Sequence, residues 1–265
     1  MLGKLILYEL RKKWKSSRLV LLGYGAVQLL LLLTIRIFLW NEGLIDGFEL
    51  NSETSANFTA SFGLLTLLFF VLSFMLGAYP FLESMHRFER DLSGKQAYLE
   101  LMIPAAAWRK VLSKLIATLV SLVVCGTASL FSMFMFMMVN SNFRYLFEFF
   151  DMLFKAVTSS PVDFIAAIIL TLFGFACLYI TIFLCIAVAK AFTHKNTIAV
   201  PIGILAFIIT TVLVSMLEGQ VARFPIYTFR LMDISFALST TVVSIILFAL
   251  LLIGTGWLME KKIEH

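Results

Sequence analysis

The side chains that could do chemistry are gathered between Glu83 and Lys114. Glu83, Arg87, Glu89, Arg90 and Asp91 follow one another closely, with Phe88 among them. Pro104, Trp108, Arg109, Lys110 and Lys114 come next. Acids and bases set this close together suit ion pairing, or else form a solvated loop. They suit general acid–base catalysis less well, since that needs one base held against a reacting group. His86, His194 and His265 all lie outside the apolar runs, and there is no HExxH stretch, nucleophile elbow or intramembrane carboxylate pair. Cys125, Cys177 and Cys185 are an odd count, each inside an apolar run. They are expected to be small packing residues, with no disulfide framework or metal site. The chemistry of this cluster is therefore that of fixed charges, and the elements around it decide what the charges act on.

Those elements are mostly hydrocarbon. The chain has 265 residues, 61% of them hydrophobic, and a mean hydropathy of +0.97. Soluble globular chains are nearer about 45–50% apolar. Six apolar runs are long enough to cross a bilayer as helices: Leu19–Trp40, Ala60–Leu82, Leu115–Val139, Phe164–Ala189, Thr197–Leu217 and Phe236–Met259. Helices are required because the hydrocarbon offers no water to backbone groups, and alternating barrel strands are absent. The expected fold is an all-α polytopic membrane protein, a single transmembrane domain over residues 1–265 with no room for a sizeable soluble domain.

Residues 1–18 are basic and amphipathic. Leu2, Leu5, Ile6, Leu10 and Trp14 share one helical face, opposed by Lys4, Tyr8, Arg11, Lys12 and Lys15, with Lys13 intruding at the edge. This predicts an interfacial helix on an anionic leaflet, or else a solvated leader that only fixes orientation. The run from Leu19 then serves as an uncleaved anchor. Basic residues fall unevenly: 16 lie on the side of the N-terminus, the 83–114 segment, Lys190, Lys195, Lys261 and Lys262, against 4 (Arg144, Lys155, Arg223, Arg230) on the other. Lys and Arg gather on the cytoplasmic face, so both termini and the 83–114 segment are expected there. The net charge of +5 is thus a topology signal, with no nucleic-acid partner expected. The first external loop carries Glu42, Asp46, Glu49 and Glu53 and no base.

Three further features concern the spans and their external connections. Arg144, Glu148, Asp151 and Lys155 draw one charged stripe through an otherwise aromatic segment, which predicts a short amphipathic helix at the outer interface. The stretch Glu218–Ser235 is too polar to span and too apolar for a free loop, so it either dips into the bilayer or forms an aromatic-belt connector. Ser113, Ala117, Ser121, Cys125 and Ser129 recur every fourth residue, a ridge of small side chains suited to close helix approach in lipid. The Phe131–Met138 run is expected in packing or lipid contact. Arg36 is the one basic residue well inside a span, and either snorkels outward or joins a polar pathway.

The cytoplasmic segment resembles the link of ABC-2-type transporter permeases. The resemblance rests on Glu83, Phe88, Glu89-Arg90, Gly94 and Tyr98 after span two, then Pro104, Trp108, Arg109, Lys110 and Lys114 leading into span three. The basic N-terminal helix and the six spans are also similar in layout. The resemblance implies a permease subunit of an ATP-driven exporter in a bacterial plasma (inner) membrane, with hydrophobic or amphipathic cargo: a peptide antibiotic, a drug or a lipid-like molecule. It implies two copies of a separate ATP-binding subunit and a second permease, identical or paralogous. Leu92-Ser93-Gly94-Lys95-Gln96 looks like the ABC ATPase signature LSGGQ, but no GxxxxGK[ST] phosphate loop accompanies it. ATP and Mg are therefore expected on the partner, with no cofactor in this chain and no enzymatic activity of its own. A coupling helix at about Ser84–Leu92 would take the ATPase's push through Glu83, Arg87, Phe88, Glu89, Arg90 and Asp91. A pathway lined by spans one, two and five would involve Gln28, Arg36, Thr66, Ser73, Thr210 and Thr211. The alternative is a membrane-anchored assembly, sensor or immunity subunit with no transport path.

Overall fold

A computed structural model describes residues 2–41, 56–93, 105–140, 146–193, 196–223, 228–231 and 234–262. Seven helices are present among them: α1 (Leu2–Asn41), α2 (Ala56–Asp91), α3 (Ala107–Asn140), α4 (Leu146–Ser159), α5 (Pro161–Phe192), α6 (Asn196–Ala222) and α7 (Leu238–Lys262). All but α4 are long and apolar enough to cross a membrane. The chain is an all-α, multi-pass membrane protein, and the six spans fall on the six apolar runs. Large apolar side chains stay exposed along them, such as Leu30 and Leu33 on α1 and Ile208 and Leu213 on α6. On a soluble protein such patches mark a binding surface, whereas here they face lipid.

Two features differ from expectation. Residues 1–18 form no separate interfacial helix, because α1 runs unbroken from Leu2 through span one for 40 residues. Likewise the segment around Ser84–Leu92 is the continuation of α2, a single helix of 36 residues. Between Phe81 and Asp91 there is neither Gly nor Pro to stop it. At about 1.5 Å per residue, 40 residues reach roughly 60 Å, about twice the hydrocarbon thickness. Apart from Arg36, the charged residues of α1 and α2 sit in this excess length.

The packed face of α1 also differs. Trp14 is exposed, while Glu9, Lys13, Ser17 and Gln28 are buried. Lys13, the intruder on the expected apolar face, belongs to a polar row recurring at helical spacing.

The chain packs as two compact units, residues 1–10, 81–119 and 161–265 in one and residues 11–80 and 120–160 in the other. In the first, α5 packs against α6 and α7, and α6 against α7. The first turns of α3 are buried on nearly every side, through Lys110, Val111, Ser113, Lys114, Leu115, Ala117 and Thr118. Strands β1 (Thr228–Leu231) and β2 (Ile234–Ala237) pair antiparallel, Leu231 opposite Ile234 and Thr228 opposite Ala237. This hairpin replaces the start of the expected sixth span at Phe236. β-branched and aromatic residues favour strands, and two intervening residues are the shortest common hairpin connection.

In the second unit, Leu32, Ile35 and Leu39 pack with Phe69 and Phe136. Phe69 and Phe136 lie with ring centroids 4.7 Å apart. Phe134 meets Phe149 of α4 at 4.6 Å, while Phe131 and Met137 stay exposed. The Phe131–Met138 run thus divides between packing and lipid contact. Helix α4 is the expected amphipathic one: Phe147, Phe150, Met152 and Phe154 are exposed, and Lys155 pairs with Asp151 at 2.6 Å. Arg144 and the acids of the first loop lie outside the described residues.

Candidate functional site

The ionic cluster belongs to the first unit. Lys114, on the second turn of α3, is 6% exposed. Its Nζ pairs with Asp91 at the end of α2 and lies 3.4 Å from Glu9 Oε1 on α1. All three side chains are buried. A charge buried without a partner costs several kcal/mol, so a lysine survives here only because two carboxylates converge on it. The neighbouring lysine of the same helix, Lys110, is also buried.

The rest of the segment is tied down in the same way. Glu83 and Arg87 form an i,i+4 pair at 2.7 Å, both largely buried. Glu89 meets Lys190 of α5 at 3.1 Å. Phe88, buried, stacks on Phe183 of α5 with ring centroids 4.3 Å apart and planes at 15°. The last turn of α2 closes with Ser93 N–H donating to Arg90 O, and Ser93 Oγ–H to Glu89 O. Of the expected coupling residues, Glu83, Arg87, Phe88, Glu89 and Asp91 therefore engage this chain's own helices. Only Arg90 is exposed, on a stripe with Leu82 and His86 at spacings of four residues.

The start of α3 is held from a direction that was not expected. Glu260 Oε1 of α7 accepts the Ala107 backbone N–H at 3.0 Å. One turn earlier, Gly256 lies so close to α3 that an added Cβ would come 2.8 Å from the Trp108 backbone nitrogen. A carboxylate at a helix N-terminus satisfies an orphan donor and complements the helix dipole. Of the connecting-helix residues, Trp108 is exposed beneath the Arg109 guanidinium, 5.1 Å from its ring centroid. Lys110 and Lys114 point into the protein, while Pro104, Gly94 and Tyr98 lie outside the described residues.

Of the expected pathway residues, Gln28, Arg36, Thr66 and Ser73 belong to the second unit and Thr210 and Thr211 to the first. Gln28 and Ser73, in the second unit, are a buried clamp: Gln28 Nε2 donates to Ser73 Oγ at 3.1 Å, Tyr24 OH at 3.1 Å and Phe69 O at 3.3 Å. Ser129 Oγ of the small-residue ridge donates to Ser73 O at 2.9 Å, and the whole ridge from Ser113 to Ser129 is buried. Thr66, in the same unit, has its buried Oγ1 without a partner in the structure. Arg36, also there, is half-buried. Thr210 and Thr211 belong to the first unit; Thr210 Oγ1 bonds back to Ala206 O at 2.8 Å, and Thr211 is exposed.

Glu9, Lys190, Gly256 and Glu260 were not singled out from sequence. Glu9 carried a readable signal, since Glu9, Lys13 and Ser17 recur every fourth residue. Glu260 carried none, because its partner is 153 residues away. Among the described residues no group of three or more His, Cys, Asp or Glu could hold a metal ion. No family model matches the chain, and neither a curated protein nor a solved structure matches it.

Proposed function

We propose that this protein is the permease subunit of an ATP-driven exporter of the ABC-2 type, moving hydrophobic or amphipathic cargo out of the cell. Separate ATP-binding subunits supply the energy, and the ionic end of the bundle faces them in the cytoplasm of a bacterial cell. The observation that carries the reading is the way the far end of α2 is bound into the fold. Asp91 pairs with Lys114 of α3, Glu89 with Lys190 of α5, and Phe88 stacks on Phe183 of α5. A force applied to such a segment is delivered to several spans at once, as a transmission element requires. Arg90, exposed at the end of α2, supplies the charged contact. Helix α6, the fifth span, is the least covered by the rest of the chain. Its exposed Leu205, Ile209, Val212 and Met216 suit a second permease copy beside it.

The test uses Arg90, because the paired residues also hold the fold. Co-expressed with the ATPase of a neighbouring gene, the wild-type chain forms a stable complex with ATPase activity. Arg90→Glu weakens assembly and lowers turnover, while the unfolding temperature of the isolated permease is unchanged. Full assembly and turnover in Arg90→Glu would remove the coupling role of Arg90. Failure of the wild-type chain to capture any ATPase would instead favour the anchored assembly or sensor subunit.

A further inference from the structure

A groove of about 530 Å³ opens in the first unit among α2, α5 and α6. Its volume is that of a small-molecule site, about 300–1,000 Å³. Helix α5 forms the floor with Ile182, Cys185 and Ala189, all buried. Helices α2 and α6 form the walls, with exposed Leu82 on one side and exposed Val200 and Ile204 on the other. The groove has depth because the residues at its base are small. Ala189, Ala199 and Gly203 meet there, and an added Cβ on Gly203 would already lie 3.7 Å from the Ala189 Cβ.

The polarity of the groove is graded. From Phe81 to Leu82, Ile182 and Phe207 the lining is hydrocarbon, while His86, Glu89 and Lys190 stand together at one end. Glu89 and Lys190 form an ion pair at 3.1 Å in which the lysine is 4% exposed and the glutamate 34%. Each of the three helices lines the groove over eight residue steps, Phe81–Glu89, Ile182–Lys190 and Ala199–Phe207. At about 1.5 Å per residue this is roughly 12 Å, close to the half-thickness of a hydrocarbon core of about 30 Å.

We propose that this groove binds one phospholipid of the adjoining leaflet, with a zwitterionic headgroup of the phosphatidylethanolamine type. One acyl chain lies along the apolar length. The headgroup phosphate accepts hydrogen bonds from Lys190 and the His86 ring N–H, and its ammonium turns to the open side of Glu89. Opposite charges set side by side at the mouth match a headgroup that carries both. An anionic lipid would satisfy the lysine and be repelled by the glutamate. This assignment is independent of ATP coupling and holds whether or not the chain transports anything.

The experiment places the full chain in nanodiscs of mixed phosphatidylethanolamine and phosphatidylglycerol, with a trace of either lipid bearing a photoreactive acyl chain, and maps the crosslinked peptides. The ethanolamine probe is expected to label the α2 and α6 segments of the groove in preference to other lipid-facing helices. Labelling falls several-fold in Ile204→Trp, which fills the groove, but not in Leu64→Trp, an exposed position on α2 outside it. His86→Gln, at an exposed position, reduces the preference over the glycerol probe while the fold is retained. Even labelling of all exposed apolar faces would overturn the site, as would groove labelling that Ile204→Trp leaves intact. Equal labelling by the two probes would overturn the zwitterion assignment. A protein–protein crosslink between Ile204→Cys copies, in place of lipid labelling, would show that a second chain fills the groove and refute the proposal.

Discussion

At Lys114 one ammonium group meets carboxylates from two other helices, with Asp91 and Glu9 both buried beside it. Replacing it with methionine keeps the volume and removes the charge, leaving two buried carboxylates facing each other. Breaking a buried pair by deleting one partner costs about 3–5 kcal/mol, so Lys114→Met should yield little folded protein in a detergent-melting assay. Arginine at 114 keeps the charge and should lose less. Asp91→Asn, tested in the Lys114→Met background, should recover part of the loss; additive losses would show that the pair is not coupled. The Gln28 clamp sets the opposite expectation. Interhelical hydrogen bonds in membranes average only about 0.6 kcal/mol. Gln28→Leu should therefore lower the melting temperature by a few degrees at most, despite three hydrogen bonds. A loss comparable with that of Lys114→Met would refute that ranking. The residues of the cluster were legible as ionisable and close in sequence, but their partners were not. Ion pairs between helices depend on rotations that a single segment does not encode, and so Asp91, expected to face a partner protein, turns inward to Lys114.

The spans were readable as elements because about 20 consecutive apolar residues admit few alternatives in lipid. The segments flanking them were harder, since helix continuation there depends on what packs alongside. Residues 84–91 stay helical because Phe88 and Asp91 find partners on α5 and α3, and the hairpin at 228–237 was hidden in an aromatic stretch with no glycine turn. The junction of α7 with α3 is a clear case of an element held by tertiary contact. Glu260 closes the N-terminus of α3, and Gly256 lets the two backbones meet. Loss of a helix cap costs about 1 kcal/mol, so Glu260→Ala should lower stability slightly. Gly256→Leu should cost more, because the clash is with backbone that cannot swing aside, at 2.8 Å and 3.1 Å from Trp108 N and Cα. Comparing the two melting temperatures tests this order. Gly256→Leu behaving like wild type would mean that α7 does not press against α3.

For the molecule as a whole, membrane crossings can be counted between two exposed arginines. Arg90 lies at the end of α2 and Arg223 just beyond α6. Between them lie α3, α5 and α6, each long and apolar enough to cross, and α4, which has 14 residues. Fourteen residues reach about 21 Å, short of the roughly 30 Å hydrocarbon core. Three crossings would place the two arginines on opposite sides, and the topology expected from the excess of basic residues has the Arg90 side in the cytoplasm. Cys125 and Cys185 are buried and Cys177 is half-buried, and replacing all three by alanine gives a background for labelling. In intact cells, a membrane-impermeant maleimide should then label Arg223→Cys at once and Arg90→Cys only after permeabilisation. Labelling of both without permeabilisation would mean an even number of crossings between them, so that α3, α5 or α6 fails to span or α4 spans as well. The reversed pattern would keep every span and invert the protein, moving the ionic cluster to the outer face, where no ATPase could reach Arg90.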